Sequence, residues 1–222
     1  VSDGRRQEAA PGTSAGPRQE AEDRTYTEAA ARFERCIRVG GVAVFPSDTV
    51  YGLACDPDKR FAVDRLYLLK RRPLQKPSAV MFFALEAALE ALPELGKATR
   101  DALARLLPGP VGTLLPNPAG RFPLACGEDS STLGLRVPAV QALARVQVPV
   151  LQSSANRAGG PDPRTLAEVP QLLRAGVDLV IDGGELPGTP STVVDLRSYE
   201  QDGSWSVMRA GAASEQALAE AL

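Results

Sequence analysis

Lys70-Arg71-Arg72-Pro73-Leu74-Gln75-Lys76-Pro77 holds four cations within seven residues, with Pro73 inside it and Pro77 at its end. Proline fixes φ and removes a donor, so the segment is a stiff loop and a poor piece of core. The chain has only four lysines, at 59, 70, 76 and 97, among 25 basic residues. A lysine kept beside arginines hints that a compact ammonium is wanted and not merely positive charge. The chemistry such a loop offers is anion binding. The same residues also suit a solvated helix end, with cations at the negative pole of the helix.

Further polar clusters stand at the ends of apolar runs, where α/β folds build their sites. Pro46-Ser47-Asp48-Thr49 follows the run 42–45, and Gln152-Ser153-Ser154-Ala155-Asn156 follows Pro149-Val150-Leu151. Arg136 alternates with apolar residues in Leu133–Val137, which requires an anionic partner if it points inward. Ser191-Thr192 leads into Val193-Val194-Asp195, and Arg209 precedes Gly211. Each cluster also has a plain structural reading: an Asx turn at Asp48, a helix N-cap at Ser154 or Asn156, a surface charge at Arg136. Neither GxxxxGK[ST] nor GxGxxG is present. Taken together, Lys70, Arg72, Lys76, Arg136 and Arg209 with nearby hydroxyls and amides describe a polyanion site, such as one for a nucleoside triphosphate. Asp48, Asp182 and Asp195 could hold Mg²⁺ through phosphates, although structural roles suit them as well, and no metal ligand is assigned.

Histidine is absent from all 222 residues, which removes imidazole acid–base catalysis, Ser-His-Asp triads and His-ligated metals together. Cys36, Cys55 and Cys126 are odd in number and lack CxxC spacing, so neither a disulfide framework nor structural zinc is expected. A net charge of −2 argues against an obligate non-specific nucleic-acid binder. No apolar run approaches the roughly 18 residues of a membrane span, and the expected location is cytoplasmic.

These residues have to be positioned by a fold. Residues 1–24 carry almost no large apolar side chains and are expected to form a disordered tail, with a single domain over 25–222. Spacing predicts helices over 27–39, 61–69, 97–107, 139–145, 165–174 and 214–221. Strands are predicted over 42–45, 50–55, 79–83, 112–115, 133–137, 148–152, 179–181, 192–196 and 205–208. Such interleaving is the pattern of a mixed, twisted α/β sheet flanked by helices.

The clusters, in this order, resemble the YrdC-like family. Pro46-Ser47-Asp48-Thr49-Val50-Tyr51-Gly52-Leu53 is similar to its PTDTVYGL, Lys70-Arg71-Arg72-Pro73 to its KxRP, and Ser154-Ala155-Asn156 to its SxN. The resemblance runs from about residue 33 to 211, and the motifs are specific jointly. It implies a single-domain fold with a concave basic cavity, and a nucleotidyltransferase that makes threonylcarbamoyl-AMP from L-threonine, bicarbonate and ATP. It further implies that the product passes to a tRNA threonylcarbamoyl transferase, with Mg²⁺ carried on the phosphates and weak tRNA binding. On the matching positions, Thr49, Arg136, Gln152 and Ser191 would bind threonine. Arg72, Lys76, Thr132, Ser154, Asn156 and Arg209 would bind ATP, with Lys70 and Arg72 making the catalytic contribution.

This chain departs from the family pattern at Met81, where many relatives carry histidine, and at Gly112, where threonine is usual. Arg157 stands where an apolar residue is usual, and Asp162 at a nucleotide-contacting position where the family usually has a small hydroxyl residue. The length resembles the short form without an extra C-terminal domain. Two other readings are a non-catalytic module for double-stranded RNA or tRNA, and a carbamoyl-adenylate-handling domain of a larger carbamoyltransferase. The net charge and hydroxyl clusters speak against the first, and the missing CxxC against the second.

Overall fold

Short apolar runs closed by Gly, Pro or polar residues become strands, and the longer periodic segments between them become helices. The computed structural model describes residues 17–222. The strands are β1 (Ala43–Pro46), β2 (Tyr51–Cys55), β3 (Ala79–Met81), β4 (Val111–Pro116), β5 (Thr132–Arg136), β6 (Val150–Ser154), β7 (Leu179–Val180), β8 (Thr192–Asp195) and β9 (Ser206–Arg209). The helices are α1 (Pro17–Arg38), α2 (Arg60–Lys70), α3 (Leu85–Ala91), α4 (Lys97–Leu106), α5 (Gln171–Gly176), α6 (Tyr199–Asp202) and α7 (Glu215–Ala221). Among the described residues one sheet forms, in the order β7-β1-β2-β6-β3-β5-β4-β8-β9. The pairs β1/β7, β3/β5 and β4/β8 are parallel and the rest antiparallel, so the expected mixed α/β sheet is present.

Side chains alternate between the two faces of a strand. Leu53, Val80, Leu133, Leu135, Leu151 and Val194 point to one face and form the main core with Ala62, Val63, Leu66 and Tyr67 of α2 and Ala102, Leu103 and Leu106 of α4. On the other face Phe45, Ala54, Met81 and Val150 form a second core with Phe33 and Ile37 of α1 and with Leu143. Phe33 lies 5.3 Å from Phe45 and 5.6 Å from Phe83 between ring centroids, the latter edge-on. This second core stops halfway across the sheet. Beyond it the same face carries Gln152, Gly134, Arg136 and Gly112, small or polar residues with no helix laid over them. The uncovered half of the face is where the site forms.

Several elements differ from expectation. Residues 1–16 of the expected tail lie outside the described residues, and α1 begins at Pro17, ahead of the expected start at 27. The expected helix over 165–174 is divided into a 3₁₀ turn (Leu166–Glu168) and α5, because Pro170 lacks an N–H and holds Val169 extended. Over 139–145 only a 3₁₀ turn at Gln141–Leu143 forms, tucking Leu143 and Val146 into the second core. The Ala- and Leu-rich α3 was not expected, although its helix propensity is high.

Docking of α1 rests on few side chains, and Ile37 is 1% exposed. Ile37→Val is expected to lower stability by about 0.5–1.5 kcal/mol in urea denaturation. An unchanged midpoint would mean that Ile37 of α1 is not part of the second core.

Candidate functional site

The open half-face is the floor of a cavity of about 480 Å³. Of the residues expected from sequence, Thr49, Arg72, Thr132, Arg136, Gln152, Ser154, Ser191 and Arg209 line it together. Lys70, Lys76 and Asn156 are not part of the lining. Lys76 is exposed, while Lys70 and Asn156 are buried.

At one end stands Arg136, delivered by β5 with its side chain 5% exposed. The turn after β1 is held by Ser47, whose hydroxyl accepts from the Thr49 and Val50 amides at 3.2 and 3.3 Å and donates to the Val50 carbonyl at 2.7 Å. That turn frees Asp48 from local amides. Its carboxylate pairs with Arg136 Nη2 and accepts from the Ala139 amide at 3.1 Å. Thr49 Oγ1 lies 3.4 Å from the same Nη2. Arg136 Nε is buried and, among the described residues, has no hydrogen-bond partner. Burial pulls the guanidinium below its ordinary pKa, against the opposing pull of Asp48. A buried donor without an acceptor is costly unless a ligand supplies one.

The cationic loop forms another wall. Arg71 ends α2 in the left-handed conformation at φ 51°, and the amides of Arg71 and Arg72 return to the carbonyls of Leu68 and Tyr67. The turn sends Lys70 inward and Arg72 toward the cavity. Lys70 Nζ donates to the Ser154 carbonyl, and at 2.9 Å to both the carbonyl and Oδ1 of Asn156. Asn156 Nδ2 donates in turn to the Gly160 carbonyl at 2.7 Å and to Asp162 Oδ1 at 3.0 Å. Lys70 and Asn156 therefore buckle the end of α2 to the loop after β6. Burial, with Arg72 nearby, lowers the Lys70 ammonium to about 8, while Asp162 opposes the shift. Arg72 Nη2 holds the Pro77 carbonyl at 2.7 Å, and its buried Nε has no partner among the described residues. The Tyr67 hydroxyl donates to the Lys76 carbonyl at 2.7 Å, pinning the loop from beneath. Gly127, at φ +66°, passes under it where a Cβ would stand 2.3 Å from the Gln75 carbonyl oxygen.

The remaining wall comes from β5, β8 and β9. Thr132 Oγ1 donates to Asp129 Oδ2 at 2.7 Å and lies 3.5 Å from Arg197 Nη1. Arg197 is bound by Asp195 at 2.6 Å. Arg209 Nη2 donates to the Ser191 carbonyl at 2.7 Å, closing β9 onto the entry to β8. Asp162 lines the cavity at the position matched to a nucleotide contact, while Asp129 and Arg197 line it without having been expected; Asp129 stands beside the polar run Ser130-Ser131-Thr132, but nothing marked Arg197.

The expected basic cavity is close to charge balance on its walls. Arg72, Arg136, Arg197 and Arg209 face it, yet Asp48 and Asp195 are paired to two of them, and Asp129 and Asp162 add carboxylates. The buried Lys70 behind the wall leaves a small positive excess. Of the sequence departures, Met81 is buried in the second core and does not reach the cavity. Gly112 lies on the floor, where an added Cβ would meet Arg136 Cγ at 3.6 Å, an ordinary contact. Arg157 is outside the lining, turning through the Gly160 amide to its own carbonyl.

The model of the family Sua5/YciO/YrdC, described as telomere recombination, matches residues 35–211. The threonylcarbamoyl-AMP synthase of Stutzerimonas stutzeri is 36% identical over 171 residues, covering 75% of this chain and 91% of that protein. The protein of the same name from Pseudomonas aeruginosa is 37% identical over 170 residues, covering 73% and 89%. Among solved structures, P. abyssi Sua5 complexed with L-threonine superposes with a TM-score of 0.77 at 26% identity, over 89% of this chain. This chain spans 58% of that protein, less than two thirds of its length. E. coli YciO superposes with a TM-score of 0.72 at 25% identity, covering 87% of this chain and 93% of that one. With the match extending over most of its length, the chain belongs to the Sua5/YciO/YrdC family.

Proposed function

We propose that this chain is a threonylcarbamoyl-AMP synthase, joining L-threonine, bicarbonate and ATP into threonylcarbamoyl-adenylate and pyrophosphate. The observation that carries this reading is one cavity with two unsatisfied cationic ends, the buried Nε of Arg136 and the buried Nε of Arg72. Arg136, with Thr49, Gln152 and Ser191, suits an amino acid, its carboxylate taking the free edge of the guanidinium. Arg72, Ser154, Thr132 and Arg209 suit the nucleotide. Lys70 and Asn156 act in this reading by positioning, since they hold the loops that carry Arg72 and Ser154. Lys76, exposed on the same loop, is the nucleotide contact that requires the loop to close over its ligand.

The chemistry asks mainly for placement. The threonine amine adds to the carbon of bicarbonate with loss of water, an oxygen of the resulting N-carboxylate attacks the α-phosphorus of ATP, and the bond to the β-phosphate breaks so that pyrophosphate leaves, so fixed cations must meet charge as it develops. A magnesium ion would supply screening of that charge. The oxygen donors of Asp162 and Ser154 on this wall suit it, because magnesium is commonly held by one or two carboxylates with substrate phosphates. Transfer of the product to a tRNA threonylcarbamoyl transferase, and a cytoplasmic location, belong to the same reading. Among the described residues no helix is long and apolar enough to cross a membrane. The RNA-module alternative is not favoured, since near-balanced walls offer little to a phosphate backbone.

Incubation with ATP, labelled bicarbonate and L-threonine should yield threonylcarbamoyl-AMP and pyrophosphate, and failure to form either would overturn the proposal. Arg72→Ala should reduce turnover about 10²- to 10³-fold with an unchanged thermal midpoint. Turnover within a few-fold of wild type would remove Arg72 from the reacting centre.

A further inference from the structure

The charge distribution of the cavity bears on the form in which the nucleotide enters. A free nucleoside triphosphate carries about four negative charges near neutral pH. Two of the four guanidiniums on the wall are already neutralised, Arg136 by Asp48 and Arg197 by Asp195. Arg72 and Arg209 remain, with Lys70 behind them making its hydrogen bonds to the 154–156 segment. Against these stands Asp162, on the wall with Arg72 and Ser154. Its Oδ1 accepts from Asn156 Nδ2 at 3.0 Å, which fixes the carboxylate in place, and among the described residues Oδ2 has no protein donor. The field of this carboxylate reaches Lys70, whose ammonium it helps to retain. A fixed carboxylate repels an incoming polyphosphate, and in a partly buried site that repulsion is less screened than at the surface. A divalent cation would reverse the sign, because carboxylate and phosphate oxygens are both donors that suit such an ion. Among the described residues no group of three or more His, Cys, Asp or Glu side chains could hold a metal by itself, so an ion here would need the phosphates as partners.

We propose that Asp162 penalises the metal-free polyphosphate, so that this residue of the wall sets how strongly nucleotide binding depends on a divalent metal. The inference rests on the nucleotide part of the proposed function, and it concerns a residue of this chain and not the reaction itself.

The test is equilibrium binding of ATP by calorimetry, with no turnover, in magnesium and in excess EDTA. Wild type is expected to bind ATP at least about tenfold more weakly without metal. Asp162→Asn removes the charge while retaining an amide oxygen for Asn156 Nδ2, and it should bring the two affinities to within about threefold, chiefly by strengthening metal-free ATP. Asp162→Ala, which removes both the charge and the acceptor, should narrow the gap in the same direction. AMP, with less charge to repel, should show little metal dependence in any of the three proteins. An equal metal dependence in wild type and Asp162→Asn, or none in wild type, overturns the inference while the nucleotide site stands. Absence of ATP binding under both conditions overturns the nucleotide reading and the inference with it.

Discussion

Arg136→Leu is expected to lower folding stability by about 3–5 kcal/mol, because it strands the Asp48 carboxylate in a site where only 9% of that side chain is exposed. Coulomb attraction and desolvation nearly cancel in an intact buried pair, but removal of one member leaves the whole desolvation penalty on the other. The Arg136→Leu/Asp48→Asn double variant should therefore recover most of the loss in urea denaturation. A double variant no more stable than Arg136→Leu would show that the pair is not coupled. Arg136→Lys separates binding from folding. It keeps a cation for Asp48 but has no nitrogen where Nε stands, and Nε is the edge left free for a substrate carboxylate. A hydrogen bond to a charged group contributes roughly 1.5–3 kcal/mol, so the threonine KM should rise on the order of 10- to 100-fold, with the ATP KM nearly unchanged. A rise confined to ATP would move Arg136 to the nucleotide end and refute the division of the cavity.

Lys70→Met should lose on the order of 3 kcal/mol of stability near pH 7, because the Nζ donor of three acceptors, the Ser154 carbonyl and the carbonyl and Oδ1 of Asn156, disappears. The motif alone invites the expectation that Lys70 can be changed with the fold intact; its 1% exposure argues otherwise. Turnover should fall as well, since Asn156 and the adjoining Ser154 lose their anchor. The pH dependence has a definite sign. Burial lowers the Lys70 ammonium from its ordinary value of 10.5 to about 8. Below pH 8 both folded and unfolded chains carry the proton. Between about pH 8 and 10.5 the folded chain releases it while the unfolded chain keeps it, so the Lys70 contribution to stability rises with pH across that window. The stability difference between wild type and Lys70→Met should accordingly widen from pH 8 to 10.5, and the subtraction removes the thiols and Tyr51, whose burial raises their pKa values. A flat difference across the window would mean that the ammonium is not burdened by its burial.

Strand positions were legible in the amino-acid sequence because runs such as Val42–Phe45 and Leu133–Val137 sit between Gly, Pro and polar punctuation, a local signal that packing reinforces. The same holds for α2 and α4, whose periodic apolar residues mark the face that enters the main core. Helix continuity was less legible. Pro170 interrupts a plausible periodicity, and the segment 139–145 trades helix for a turn because Leu143 and Val146 gain more by entering the second core.

Residue types and their order determined the class of chemistry for this protein: no imidazole, a stiff cationic loop, hydroxyls and amides at strand ends, and arginines that require anions. Those properties are local and survive any folding of the chain. Tertiary structure decided which of the polar groups meet a ligand. Lys70 and Lys76 are near neighbours in sequence, yet one is buried against the Asn156 loop and the other is exposed, because Arg71 turns the chain at the end of α2. Arg136 and Asp48 are 88 residues apart, and their pairing depends on β5 and the β1–β2 turn meeting across the sheet. Asp129 and Arg197 carry no periodic or motif signal that ties them to a site, and Asp162 is tied to one only by its matching position in the family. Their charges acquire meaning from proximity, since electrostatic interaction depends on distance and burial, and neither is written in the order of residues.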